Sequence, residues 1–426
     1  MTTIAFLGMT HLGLVSTVAA ASKGAHVLAF DADRMVVEAL RRGELPIVEP
    51  DLAALLGANM ARITFTADTR DLNAAEIIYV SPDVPTDDAG RSNLTIVDRL
   101  VELAFEYSRP EATIVVLSQV SPGYSRARAR DGRRLFYQVE TLIFGRAVER
   151  ATRPERIIVG CADAGRPLPA AYWEFLCRFD CPILPMRYES AELTKISINF
   201  CLIGSLSAAN VLAELCEAIG ADWSEIVPAL YLDSRIGPKA YLKPGLGLSG
   251  GNLERDMATV ETLAREHGTD TRLVSAWGEG SRIRKDWAYR ILHQEVLSRK
   301  PNASIGVLGL AYKENTHSTK NSPALTLLAH RDLRHVRVFD PVVSAAIVPH
   351  AIQAANALDA LQGADAVAVM TPWPAFRAIA PSDMARAMAG RILLDPYALF
   401  DSADIAAAGL DRFVLGRPPE RVEKGA

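Results

Sequence analysis

Short apolar runs punctuated by glycine alternate along this chain with stretches in which apolar residues recur every three or four positions. Residues 3–8 (T-I-A-F-L-G) are a continuous apolar run of the kind a parallel strand buries on both faces. G-M-T-H-L-G (8–13) follows, then a helix-like apolar stretch to Ser22 and a second strand, His26–Phe30, ending at Asp31. The alternation continues with strands at 76–80, 112–117 and 157–160 and a helix over 96–107. From Ser304 a second set begins: strand I-G-V-L-G-L, a polar loop, a helix from Pro323, a strand V-R-V-F-D ending at Asp340, and further strands at 364–370 and 392–395. Such alternation predicts open parallel sheets.

The segment 189–221 differs. Ala191, Leu193, Ile196, Ile198, Leu202, Ile203, Leu206, Ala209, Leu212, Leu215 and Ile219 keep helical spacing throughout. A helix of this length spans roughly 45 Å at 1.5 Å per residue. It is apolar on more than one face, which predicts burial between domains or subunits. More helix follows to about Leu292. The expected fold is α/β: two Rossmann-like doubly wound parallel-sheet domains, 1–186 and 296–426, joined by a long central helix and a helical middle domain, 187–295. The charged tail after Arg417 is expected to fray.

Bulk properties narrow the function without naming it. The 426 residues suffice for two or three domains with ample cores. Apolar residues make up 49% and charged residues 23%, as in soluble globular proteins. A net charge of −4 gives no electrostatic case for a nucleic acid or membrane partner. No run of about 18 apolar residues marks a membrane span, and no basic segment precedes an apolar stretch at the N-terminus, so a cytoplasmic protein is expected. The five cysteines (161, 177, 181, 201 and 216) form no C-x-x-C, and Cys177 and Cys181 lack a second ligand pair. Zinc is not expected, and buried thiols in a reducing compartment are.

The first strand–turn–helix–strand unit has the spacing of a dinucleotide-binding βαβ motif. Gly8 would make the tight turn, Gly13 would let the helix pack on the strand, and Asp31 would accept hydrogen bonds from an adenosine ribose, favouring NAD over NADP. Thr10 stands at the central glycine of the fingerprint, where its Cβ is expected to crowd the pyrophosphate and weaken binding. The basic run Arg126–Arg134 holds five arginines and reads as a solvated helix face, with phosphate binding the lesser alternative. The stretch P-G-L-G-L-S-G-G-N-L-E-R-D (244–256) holds four glycines, which let backbone approach a ligand and present N–H groups to anions. Lys195 and Asn199, four apart, share a helix face suited to gripping an oxyanion or a water. A solvated polar face is the alternative, weakened by the apolar surroundings. Cys201, six residues past Lys195 and so roughly 240° further round, should point away.

Several separated segments, in order and over nearly the full length, resemble the UDP-glucose/GDP-mannose dehydrogenase family. Residues 31–52 hold P-I-V-E-P, similar to its P-I-x-E-P. L-S-Q-V-S-P-G-Y (117–124) resembles S-T-V-x-P-G-T, and Q-V-E-T-L-I-F-G (138–145) resembles N-P-E-F-L-R-E-G. E-L-T-K-I-S-I-N (192–199) is similar to E-x-x-K-x-x-x-N. S-R-I-G (234–237) and P-G-L-G-L-S-G-G (244–251) follow. G-L-A-Y-K-E-N-T-H-S-T-K-N-S-P-A (309–324) resembles the loop F-K-x-x-T-D-D-x-R-x-S-P, and M-T-P-W-P-A-F (370–376) resembles T-E-W-x-x-F.

The resemblance implies an NAD-dependent oxidoreductase acting on a nucleotide sugar, dimeric through its central helix. In the family, a sugar primary alcohol becomes a carboxylate in two oxidations, the second through a cysteine thioester. Carried over, the cofactor would meet Gly8, Thr10, Leu12, Gly13, Asp31, Ser118 and Gln119. Substrate would meet Arg235, Tyr241, Gly245, Gly247, Gly250, Lys313 and Lys320. Lys195 would steady negative charge, Asn199 would orient water or substrate, and Asp256 would hold that water or act in base catalysis. Glu140 matches the glutamate of P-E-F. The chain departs from the family in its chemistry. Asn252 stands at the nucleophilic cysteine, Gln119 at the threonine of S-T-V, and Phe144 at the second glutamate of E-F-L-R-E-G. Ser205 replaces a lysine and Arg255 the lysine before Asp256. His317, Ser318 and Lys320 replace two aspartates and an arginine. The expected outcome is a two-electron oxidation stopping at an aldehyde or ketone, or a transient oxidation. A four-electron reaction without covalent capture and a non-catalytic binding protein are the alternatives.

Overall fold

The strand Thr3–Leu7 (β1) is buried along nearly all its length because parallel neighbours flank it on both sides. It sits inside an eight-stranded sheet with His26–Phe30 (β2), Ile63–Thr66 (β3), Ile77–Val80 (β4), Thr113–Val116 (β5), Arg134–Gln138 (β6), Ile157–Cys161 (β7) and Ile183–Arg187 (β8). The order is β3-β2-β1-β4-β5-β6-β7-β8, parallel except between β6 and β7. This sheet belongs to the first of two units, residues 1–198 and 199–426, in a computed structural model that describes residues 2–87 and 90–422. The second unit carries a fully parallel six-stranded sheet of Ser304–Leu308 (β9), His335–Phe339 (β10), Ala351–Gln353 (β11), Ala366–Val369 (β12), Ile392–Leu394 (β13) and Asp411–Phe413 (β14). Its order, β11-β10-β9-β12-β13-β14, repeats the doubly wound pattern of the first.

The repetition extends to hydrogen bonds. Gly8 (φ 93°) donates its N–H to Phe30 O at 2.9 Å, and Gly309 (φ 97°) donates to Phe339 O at 2.8 Å. The next N–H along reaches the aspartate that ends the second strand, Met9 to Asp31 at 2.8 Å and Leu310 to Asp340 at 2.7 Å. The two aspartates then part ways. Asp340 also accepts from Ala311, Val342 and Val343 N–H and from Trp373 Nε1, and is only 5% exposed. Burial pushes its carboxyl up, but the backbone donors outweigh burial and hold it below the ordinary aspartate range. Asp31 stays half-buried.

The long helix runs Tyr188–Ile219. It is long and apolar enough to cross a membrane by length and composition, with a mean hydropathy of 1.7 over its best window. Ser, Thr and Asn interrupt its apolar residues, so no continuous apolar run marks it in the sequence. In the second unit Glu217 of this helix accepts from Arg284 Nη2 (2.7 Å), Trp287 Nε1 (2.8 Å) and Gly416 N–H (2.8 Å), tying together three distant parts of the chain.

Three further expectations are corrected. Only Tyr124–Arg128 of the arginine run is helical. The face is solvated as expected, with Arg126 and Arg130 exposed, and Arg126, Arg128 and Arg130 pair there with Glu189, Asp98 and Glu102. The tail does not fray directly after Arg417. Glu420 pairs with Arg412, a side chain 1% exposed, and Arg421 pairs with Glu295; residues 423–426 lie outside the described residues. Nor are the thiols all buried: Cys161 and Cys216 are, whereas Cys177 and Cys201 are exposed.

Candidate active site

The dinucleotide turn forms where β1 passes into the helix His11–Ser22 (α1). A Cβ on Gly13 would lie 1.8 Å from Gly8 O, so glycine there is what lets the helix close onto the turn. A Cβ on Gly8 would meet Pro82 at 3.0 Å. Asp31 keeps acceptor capacity beyond its bonds from Met9 and Asp33 N–H. Thr10 is the N-cap of α1, and its hydroxyl accepts the Asp83 N–H at 2.8 Å. Leu12 N–H is accepted by Asp83 Oδ2 at 3.3 Å, so the turn takes an anionic oxygen, as a dinucleotide pyrophosphate requires. Ser118 is fully buried with its hydroxyl given to Pro82 O (2.5 Å), and Gln119 is half-buried.

Next to this turn, the loop after β6 is held by Glu49, whose side chain is 1% exposed. Glu49 accepts from Gly145 N–H at 3.0 Å and Ala147 N–H at 3.3 Å and lies 2.9 Å from His11 Nε2. Phe144, which takes the place of a glutamate in the resemblance, packs on His11 with ring centroids 4.4 Å apart and planes tilted by 32°. The loop carries Glu140, which accepts Leu142 N–H and lies 3.1 Å from Lys195 Nζ, both side chains well shielded. Glu192, one turn before Lys195, accepts from Gly123 N–H (2.6 Å) and Ser125 N–H (2.8 Å) and so fixes the loop after β5; burial pushes its carboxyl up.

In the second unit Asn199 donates from Nδ2 to Asp256 Oδ2 at 2.6 Å, and Asp256 is fully buried. Arg255, also buried, lies 3.5 Å from Asp256 Oδ1. Asn252 opens the helix Asn252–Glu266 and is exposed. Three N–H groups of the glycine segment before it are bonded within the protein. Gly245 N–H goes to Asn210 Oδ1 (2.8 Å), Leu248 N–H to Ser281 Oγ (2.8 Å) and Gly250 N–H to Lys320 O (3.1 Å). Two of the glycines also answer to close approach by the protein. A Cβ on Gly247 would fall 2.5 Å from Ser281 O, and one on Gly250 3.0 Å from the Tyr312 ring. Asn321 Nδ2 completes the clasp on Gly250 O at 3.0 Å, so the glycine stretch and the 309–322 loop act as one wall. Lys313 is half-buried with Nζ 5.7 Å from the Tyr312 ring centroid. Arg235 and Tyr241 are placed apart from this wall's bonds: Arg235 is exposed and paired with Asp233 at 2.6 Å, and Tyr241 is 52% exposed.

Sequence reasoning missed Asp83, His11, Glu49 and Glu192 as organising residues. Glu49 carried a signal as the one acid in P-I-V-E-P, and Glu192 as the first residue of E-x-x-K-x-x-x-N. The others act through contacts from 38 to 71 residues away in sequence.

A glycine turn closed onto a helix N-terminus, an aspartate with acceptor capacity at the end of the second strand, and the Glu140–Lys195 and Asn199–Asp256 pairs, each with one member on the long helix, fit an NAD-dependent dehydrogenase acting on CH–OH of a nucleotide sugar. The chain belongs to the UDP-glucose/GDP-mannose dehydrogenase family: residues 2–168 match its NAD binding domain, 189–280 its central domain and 306–402 its UDP binding domain. UDP-glucose 6-dehydrogenase TuaD of Bacillus subtilis is 30% identical, over 99% of this chain and 94% of its own. UDP-glucose 6-dehydrogenase of Pseudomonas aeruginosa is also 30% identical, over 97% of each. Among solved structures, a UDP-glucose dehydrogenase of Pyrobaculum islandicum matches with a TM-score of 0.78 at 25% identity, covering 89% of this chain and 92% of that one. The UDP-D-ManNAc dehydrogenase of Pyrococcus horikoshii shares the fold with a TM-score of 0.83 at 22% identity, over 98% of this chain and 99% of that one.

Glu49 supplies the test of how the site is held. Glu49→Ala removes the carboxylate shared by the buried Ala147 N–H, the exposed Gly145 N–H and His11 Nε2, and should cost about 1–3 kcal/mol in equilibrium denaturation, with Glu49→Gln intermediate. Loss of less than about 1 kcal/mol in Glu49→Ala would contradict that role.

Proposed function

We propose that this enzyme carries out a two-electron oxidation of an alcohol carbon on a nucleotide-linked sugar, releasing an aldehyde or ketone or passing through one transiently. The observation that carries the reading is Asn252 in the place of the family's nucleophilic cysteine. A carboxamide cannot add to an aldehyde and form a thioester, so covalent capture has no residue there. Within the same unit, Cys216 is packed with Trp223 and Leu242, and Cys201 lies on an exposed face of the long helix.

Bound NAD supplies the two-electron acceptor, and Gly8, Gly13, Leu12 N–H and Asp31 are the groups suited to hold it. The rest of the chemistry falls to this chain's side chains. The alcohol loses two hydrogens, one with the electron pair and one as a proton. Lys195, held by Glu140, stabilises the negative charge that develops on the substrate oxygen as that proton leaves, and Glu140 is a carboxylate able to receive it. Asn199 and Asp256 orient the sugar or a water. Lys313 and Lys320 offer cations to the diphosphate, with Lys320 lacking the bidentate fork of the arginine it replaces. Gln119, Arg235, Tyr241 and the glycines 245, 247 and 250 complete the proposed contacts. A four-electron oxidation to the acid is the second reading. It is favoured by the intact pair of half-buried Asn199 and buried Asp256, which could activate water on an aldehyde, and by relatives named UDP-glucose 6-dehydrogenase.

The segment 187–295 is proposed as a dimerisation domain between the cofactor domain, 1–186, and the substrate domain, 296–426. In the long helix's most apolar window only 22% of residues are buried, and Val211 (64%), Leu212 (45%), Leu215 (50%) and Ile219 (66%) stand exposed. A second copy of the chain would cover this stripe.

Two experiments follow. With a UDP-sugar and NAD, mass spectrometry should find a carbonyl product from wild type and a uronic acid from Asn252→Cys. Acid from wild type overturns the two-electron reading and supports the second. Light scattering should find a dimer that Leu215→Arg converts to monomer, and a wild-type monomer would contradict the proposed interface.

A further inference from the structure

The turn that takes the dinucleotide already holds an anion of the protein's own. Helix α1 has no acidic residue in its first turn, and the Thr10 side chain caps none of its N–H groups. The place is filled from the segment after β4, where Asp83 accepts the Leu12 N–H through Oδ2 at 3.3 Å. Asp83 is itself tethered, its N–H bonded to the Thr10 hydroxyl at 2.8 Å. β1 and β4 are neighbours at the point where the strand order reverses, which is where doubly wound sheets take their ligands. A helix N-terminus favours one anion through its partial positive charge and unpaired N–H groups, and phosphates exploit the same feature. Asp83 is exposed, so nothing in the core compels its carboxylate to face the helix.

We propose that Asp83 sets cofactor affinity by competition, its carboxylate having to leave the Leu12 N–H before a pyrophosphate can take it. Two like-charged groups cannot share one N–H donor without strong repulsion at a few ångströms. Thr10 then matters through its hydroxyl, which holds the Asp83 segment over the turn, more than through the bulk of its Cβ. The penalty falls on ligands that carry a pyrophosphate and spares those that bind by the adenosine end alone.

The test is calorimetric binding of NAD, ADP-ribose and adenosine to the full chain and to Asp83→Asn, Asp83→Ser, Thr10→Gly and the double variant Thr10→Gly/Asp83→Asn, with thermal unfolding to verify folding. Both Asp83 variants should bind NAD and ADP-ribose about two- to fivefold more tightly, the size of one exposed charge at a helix terminus. Adenosine affinity should not change. Thr10→Gly should also gain, and should add nothing once Asp83 is neutral. Unchanged or weaker NAD binding in folded Asp83→Asn and Asp83→Ser overturns the proposal, as does an equal gain for adenosine. A full Thr10→Gly gain in the Asp83→Asn background overturns the tether. The readout is binding without turnover, so the result is independent of where the sugar oxidation stops.

Discussion

Each sheet depends on one constraint: an aspartate at the end of the second strand must reach back to the N–H that follows the glycine turn of the first. Asp31 does this for β1 and β2, and Asp340 for β9 and β10. The bond fixes the turn, the turn requires positive φ, and glycine at 8 and 309 meets it without a Cβ penalty. The strand order then places the reversal point next to the turn in both units. What separates the two copies is satisfaction of the carboxylate. Asp340 is sealed by backbone donors and an indole, leaving nothing for a ribose, while Asp31 remains open to one. The same local design thus yields a structural knot in one unit and a cofactor site in the other.

Much of this was legible from sequence, for a physical reason. Strands buried on both faces must be apolar throughout, so β1, β4, β5, β7, β9 and β12 announce themselves, and the doubled strand–helix–strand–Asp layout follows. The elements that stayed hidden sit where burial is partial. β6 begins inside an arginine run, and β8 (I-L-P-M-R) contains a proline, which suits its place at the sheet edge. The ordered tail depends on buried Arg412, a tertiary hub that no local pattern reveals.

The site divides along the same line. Glu140 with Lys195 and Asn199 with Asp256 were named from motifs and are found paired. In the glycine stretch 244–251 the N–H groups of Gly245, Leu248 and Gly250 have partners, Asn210, Ser281 and the Lys320 carbonyl, that come from elsewhere in the chain and that no local pattern reveals. Glycine there serves protein packing against Ser281 and Tyr312. The sharpest chemical statement still rests on one residue. Asn252, exposed at the start of its helix, stands in the resemblance where the family has its nucleophilic cysteine, and the proposed two-electron limit rests on it.

The most direct test of that statement is the stoichiometry of the wild-type enzyme over a panel of UDP-, GDP-, CDP- and dTDP-sugars, run to completion with excess NAD. One NADH, or less where oxidation is transient, for each sugar consumed is the expected result. Two NADH per sugar would contradict it.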